Sequence, residues 1–132
     1  MGIQVDDAVS QKPEIIEQLR QAHYPVVDMS DNEVAKIHVR YMVGGHGLGV
    51  RDERVYRFCF PERPGALLNF LNRMGQGWNI SMFHYRNHGA AYGRVLVGLQ
   101  VPASQDKAFR AFLSELGYAY DEETSNPAYG LF

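Results

Sequence analysis

From Val55 onward the hydrophobic period of the chain switches between about two and about 3.6 residues in an order that few folds accept. Val55 to Phe60 alternates, with Tyr56, Phe58 and Phe60 on one face and Val55, Arg57 and Cys59 on the other, which predicts a half-buried strand. Leu67, Phe70, Leu71 and Met74 then recur at i, i+3, i+4 and i+7, the stripe of an amphipathic helix, with Gly75 and Gly77 to stop it. Ile80 to Arg86 alternates again, Ser81, Phe83 and Tyr85 opposite Ile80, Met82 and His84, and Asn87 to Ala90 supplies turn residues. Arg94 to Val101 reads as a strand ended by Pro102. Ser104 stands where an N-cap belongs, before a helix facing inward through Phe109, Phe112, Leu113 and Leu116. Gly117 closes that helix, and Tyr118 to Tyr120 adds a short last strand. The order strand-helix-strand-strand-helix-strand is the split βαβ arrangement. It defines an α+β, ferredoxin-like βαββαβ domain with an antiparallel sheet and helices on one face.

The first fifty residues echo the end of this unit. "GIQV" (Gly2 to Val5) resembles "GLQV" (Gly98 to Val101), a helix with Ile15 and Leu19 follows as Phe109 and Leu113 follow later, and "HYPVVDMSDN" falls where "GYAYDEETSN" does. This ordered internal repeat divides the chain into 1–29, the C-terminal part of a first unit, 30–53, a connector, and 54–132, a complete second unit. Most of the first unit is expected upstream of Met1, leaving the strand-helix-strand remnant with uncovered apolar surface. In the connector, Ser30-Asp31-Asn32-Glu33 has the form of a capping box ahead of Val34, Ile37 and Tyr41 at helical spacing, and Val43 to Gly49 forms a flexible glycine-rich joint.

Composition removes several functions. A formal charge of −2, from 13 basic and 15 acidic residues, argues against a dedicated nucleic-acid binder. No apolar run approaches the length of a membrane span, the first residues given show no signal-peptide pattern, and the single Cys59 excludes an intramolecular disulfide, so the cytoplasm is the expected location. Gly45 to Gly49 precedes a strand and lacks the lysine of a phosphate-cradling loop, so it reads as a linker. Ala91 to Val97 leans toward an RNA-recognition strand, but Arg94 and Val97 stand where stacking aromatics belong. His84 and His88 sit in a strand-to-turn context without an acidic partner, which argues against a metal site. Cys59 is a small strand residue, and Lys12, Lys36 and Lys107 all have polar surroundings, so no covalent-catalysis arrangement emerges.

"FPERPGALLNFL", Phe60 to Leu71, carries more chemistry. A strand ending at Pro61 and a helix opening at Gly65 or Ala66 present free helix N–H groups, which suit a carboxylate. Gly65 permits close backbone approach, and Glu62 supplies an anion for an ammonium. Leu67 and Leu71 line the adjoining helix, and Tyr85 reaches across from the second strand with a hydroxyl. A carboxylate acceptor, an ammonium partner and an apolar pocket meet the needs of a small branched-chain amino acid. The same residues also fit a capped helix with a surface glutamate.

"RYMVGG" (Arg40 to Gly45), "FPERPGALLNFLNRMG" (Phe60 to Gly75), "WNISMFHYRNHGAAYGRVL" (Trp78 to Leu96) and "LGYAYDEETSNPAYGLF" (Leu116 to Phe132) closely resemble the C-terminal regulatory region of biosynthetic threonine deaminases, also called threonine dehydratases or threonine ammonia-lyases. The resemblance implies two ACT-like subdomains behind a large pyridoxal-phosphate catalytic domain, the first of them mostly missing here. It implies feedback control of isoleucine synthesis, in which isoleucine inhibits deamination of threonine to 2-oxobutanoate and valine opposes it. Glu62 and Tyr85 match the family's effector site, and Leu67, Leu71 and Met74 match helix positions associated with loss of feedback inhibition. With the family's catalytic lysine and phosphate-binding glycine loop absent, this chain itself is expected to have no cofactor and no deaminase activity. Its implied partners are isoleucine, valine, the catalytic domain of the full-length enzyme and further copies joined through ACT-like sheets, for which Val95 to Val101 is the expected pairing strand. An assembly module that binds no ligand is the alternative.

Overall fold

A computed structural model of the chain describes residues 5–39, 49–87 and 92–131. The strand expected at Gly2, the connector positions around Tyr41, the glycine joint up to Leu48 and the turn at His88 to Ala90 lie outside them. The chain divides into two compact units, residues 1–31 and 32–132.

In the first unit a single helix, α1 (Ala8–Gln21), is capped by Asp7, whose carboxylate accepts from the Val9 amide at 3.0 Å and the Ser10 hydroxyl at 2.6 Å. Ile15 and Leu19 are half-buried on it, as their spacing predicts. The segment after α1 differs from the sequence reading. Among the described residues Tyr24 to Met29 is outside any sheet. Tyr24 and Val27 are accordingly exposed.

The second unit contains β1 (Glu53–Pro61), α2 (Ala66–Met74), β2 (Asn79–Arg86), β3 (Tyr92–Gln100), α3 (Asp106–Leu116), β4 (Ala119–Glu122) and α4 (Pro127–Leu131). The four strands form one antiparallel sheet in the order β2-β3-β1-β4, the βαββαβ topology expected from the changes of period. β3 is flanked by β1 and β2, so Val95 to Val101 has no free edge. That overturns its assignment as a pairing strand. Among the described strands the two open edges belong to β2 and β4.

One face of the sheet carries the apolar core. Tyr56, Phe58 and Phe60 of β1 stand beside Val97, Val95 and Gly93 of β3 and pack against Phe70 of α2 and Phe109, Phe112, Leu113 and Leu116 of α3. Phe58, Phe70 and Phe109 are fully buried, each contributing about 1.5–3 kcal/mol of transfer free energy. Their rings meet at edge-to-face or tilted angles, with Phe58 and Phe70 centroids 5.5 Å apart.

Helix α2 faces inward through Ala66, Phe70 and Met74 rather than through the full stripe expected, and Leu67 and Leu71 turn partly to solvent. A register shift between Ile80 and Met82 breaks the alternation of β2, so Ile80 joins the face of Phe83 and Tyr85. Ser81, the extra residue, donates instead to Glu53. Ser104 does not cap α3, since it lies within a 3-10 turn, Ala103–Gln105. The helix starts at Asp106, whose first-turn carboxylate binds Arg54 at 2.6 Å and Arg110 at 2.8 Å.

The other face of the sheet is held differently. A short π-helical turn, Val34–His38, lies near β2, β3 and α4, and Val34, His38, Val55, Leu96 and Ala128 are all buried. Asn32, not Ser30, caps this turn by accepting from the Ala35 amide at 2.9 Å. Glu33 reaches Arg57 at 2.7 Å instead of closing a capping box. Arg57, in the middle of β1, also binds Asp121 at 3.0 Å and Glu123 at 2.9 Å. His38 and His84 share a bond between their Nδ1 atoms at 2.8 Å, one donating and the other accepting. The Asn32 side-chain amide donates to Asn126 at 2.8 Å, and Asn126 caps α4 through the Ala128 amide. Caps 94 residues apart, at the offset of the sequence repeat, are thus joined directly.

Candidate functional site

The loop between β1 and α2 turns twice between Pro61 and Ala66. The Arg63 amide donates to the Pro61 carbonyl at 2.8 Å, the Ala66 amide to the Arg63 carbonyl at 3.2 Å, and Asn69 then makes the first helical bond to Gly65 at 2.7 Å. Gly65 takes a left-handed φ of 83°, and a Cβ there would meet nothing within 4 Å. The backbone conformation, not space, therefore demands glycine, since an L side chain in that region costs about 1–2 kcal/mol. No side chain caps α2 at this position, leaving the first-turn amides directed toward the loop. Tyr118, at the foot of β4, holds the start of the helix in place: its hydroxyl donates to the Ala66 carbonyl at 3.0 Å and accepts from Asn69 at 3.1 Å.

Beside this loop lies an open cleft of about 710 Å³. Glu62 and Gly65 form its mouth, Leu67, Leu68 and Leu71 of α2 one wall, and Tyr85 of β2 the other, with Pro61 and Pro64 flanking the acidic residue. Five of the six residues singled out in the sequence thus border one cavity. Met74, the sixth, is buried in the core one turn further along α2 and does not line the cleft.

The Tyr85 hydroxyl donates to Glu62 Oε1 at 2.9 Å, which closes the mouth with a polar bridge. The bond to the Glu62 carboxylate, followed by burial, raises the Tyr85 pKa above its ordinary value, so the phenol remains a donor throughout the neutral range. Gly93 makes this possible. It stands on β3 opposite Phe60, and a Cβ there would lie 2.5–2.8 Å from the Tyr85 hydroxyl, Cζ and Cε2. The tyrosine ring therefore occupies space that any side chain on residue 93 would take. Sequence reasoning missed Gly93 and Tyr118. Both act through cross-strand register or contacts about fifty residues away, and neither leaves a local pattern.

Among the described residues no group of three or more His, Cys, Asp or Glu is placed to hold a metal ion, and no helix is long and apolar enough to cross a membrane.

A βαββαβ sheet with a ligand-sized cleft at its first strand-to-helix turn is a ferredoxin-like, ACT-like domain. The family described as the C-terminal regulatory domain of threonine dehydratase matches residues 44–132, and the chain belongs to that family. Over its whole length it is 48% identical to the biosynthetic L-threonine dehydratase IlvA of Escherichia coli K12, covering 26% of that protein. It is 55% identical over 109 residues to the IlvA protein of Burkholderia multivorans, covering 83% of this chain and 22% of the relative. Against the mitochondrial threonine dehydratase of Saccharomyces cerevisiae it is 47% identical over 128 residues, 97% of this chain and 22% of the relative. The chain spans about a quarter of the length of these relatives.

Proposed function

We propose that this regulatory domain binds branched-chain amino acids in the cleft between α2 and β2, isoleucine as inhibitor and valine as its antagonist, and so sets the activity of a pyridoxal-phosphate threonine ammonia-lyase domain in a full-length cytoplasmic enzyme. The observation that carries the reading is the Tyr85–Glu62 hydrogen bond, which fixes a carboxylate at the mouth of a leucine-lined cavity beside an uncapped helix start. An ammonium group fits Glu62, a carboxylate fits the first-turn amides of α2, and an aliphatic side chain fits between Leu67 and Leu71. Isoleucine and valine differ by one methylene, worth only ~1–3 kcal/mol in such a pocket. Opposite effects therefore call for two conformations or two sites rather than one selective cavity.

A thermal-shift titration with isoleucine, valine, leucine and threonine, run beside Glu62→Ala, tests the reading. At about 100 times the dissociation constant a bound ligand adds ~2.7 kcal/mol, a rise of several degrees. The expected result is a rise with isoleucine or valine that Glu62→Ala abolishes. No rise with any of the four would refute it.

A second reading rests on Ile80, Phe83 and Tyr85, which leave apolar surface exposed on the open-edged strand β2 and suit assembly into a homo-oligomer. Mass in solution separates the two readings. Assembly alone predicts an oligomer indifferent to amino acids and to Glu62→Ala.

A further inference from the structure

The loop between β1 and α2 places two opposite charges side by side, Glu62 and Arg63, and both border the same cleft. Among the described residues neither makes an ion pair with the other or with any further group. Other arginines of the domain show both behaviours: Arg73 and Arg94 bind uncharged groups. Arg54, Arg57 and Arg110 each bind at least one carboxylate at 3.0 Å or less. Glu62 is instead held by the neutral Tyr85 hydroxyl, which keeps its charge in place without cancelling it. Pro61 on one side and Pro64 on the other restrict the backbone that carries the pair.

A site for a free amino acid must meet one negative and one positive group a few ångströms apart. The start of α2 alone offers roughly half a positive charge, and the full negative charge of Glu62 beside it more than offsets that. On those two features alone, a ligand carboxylate would meet a net negative mouth. We infer that Arg63 is the carboxylate-binding residue of the cleft, pairing with the α-carboxylate of an amino acid whose ammonium sits on Glu62. This rests on the proposed amino-acid binding and specifies its polar half. The guanidinium fork suits a carboxylate in two parallel hydrogen bonds, and the helix amides then orient the same group rather than neutralise it.

The test pairs a change in the protein with a change in the ligand. Isoleucine and isoleucinamide, which keeps the ammonium and side chain but lacks the carboxylate charge, are titrated against the wild-type chain, Arg63→Ala and Arg63→Lys, with each ligand-free melting midpoint confirming that the variant folds. Wild type is expected to bind isoleucine about tenfold tighter than isoleucinamide, a preference lost in Arg63→Ala through weaker isoleucine binding and partly kept in Arg63→Lys. If Arg63→Ala weakens both ligands alike, or neither, Arg63 does not read the carboxylate and the inference falls while amino-acid binding stands. If the wild-type chain responds to neither ligand, both fall together.

Discussion

The two faces of the four-stranded sheet are stabilised by different physics. The helix-bearing face is close-packed aromatic and aliphatic surface, where Phe58, Phe60, Phe70 and Phe109 are buried with almost no polar contact beyond Tyr118. The opposite face is held by directional pairs: Arg57 with three carboxylates, His38 with His84, Glu53 with Ser81 and Tyr129, and Asn32 with Asn126. β3 serves both. Gly93 admits the Tyr85 ring on the helix face, and Gly98 leaves room for Glu53 and Ser81 on the other. Stability from buried area tolerates small shifts, whereas a ring of specific polar bonds fixes one arrangement of the connector turn and α4. The cleft sits at the rim of the forgiving face.

Phe58→Ala attacks that contrast hardest. Removing a fully buried ring from the centre of the aromatic face is expected to cost about 3–5 kcal/mol, read as a large fall in the urea midpoint. Arg57→Ala strikes the polar face and should cost less, about 2 kcal/mol. It leaves Glu123, itself nearly buried, without its cation, and Glu123→Gln in the same chain should recover part of the loss. If Arg57→Ala proved as costly as Phe58→Ala, the distinction between the faces would collapse.

Acid should find the polar face first. Burial, then Arg86, lowers the His84 pKa below its ordinary 6.5. With the folded value depressed, its contribution to stability is present above about pH 6.5 and is lost as pH falls below it, because the unfolded chain takes up the proton more readily. The melting midpoint of the wild-type chain is expected to drop between pH 7 and pH 5 more than that of His84→Gln; parallel curves would exclude the pair as the cause. Tyr85→Phe should have the smallest effect of all on folding, within about 0.5 kcal/mol, since the ring is half-exposed. It is expected to weaken isoleucine binding several-fold in the same thermal assay, by freeing Glu62.

The sequence reveals the helix-bearing face well because that face obeys local periods. Tyr56, Phe58 and Phe60 alternate, Phe109, Phe112, Leu113 and Leu116 follow a helical stripe, and both sets are buried as their spacing predicts. The candidate cleft was visible for a similar reason, as Glu62, Gly65, Leu67 and Leu71 fall within ten residues of one another. The polar face was not. The π-helical turn and α4, or His38 and His84, become neighbours only after the sheet has formed, and no short window contains both. Competition between equivalent caps misled the assignment at Ser30, where Asn32 two residues later takes the bond. The shift at Ser81 arises because its hydroxyl gains a carboxylate partner, a preference that alternation of apolar residues does not encode.

Tyr85 belongs to an edge strand, and this gives the cleft a stability of its own. Among the described strands β2 is bonded on one side only, so every second amide along it faces outward without a ladder partner. Such a strand can detach by local opening while the rest of the sheet stays folded, at a fraction of the free energy of global unfolding. The half of the cleft that Tyr85 provides would then come and go faster than the half built on α2. An occupant bridging Glu62 and Tyr85 would slow amide exchange along β2 while leaving that of β1 and α3 almost unchanged. Occupancy of the cleft would thus be written into the persistence of one strand.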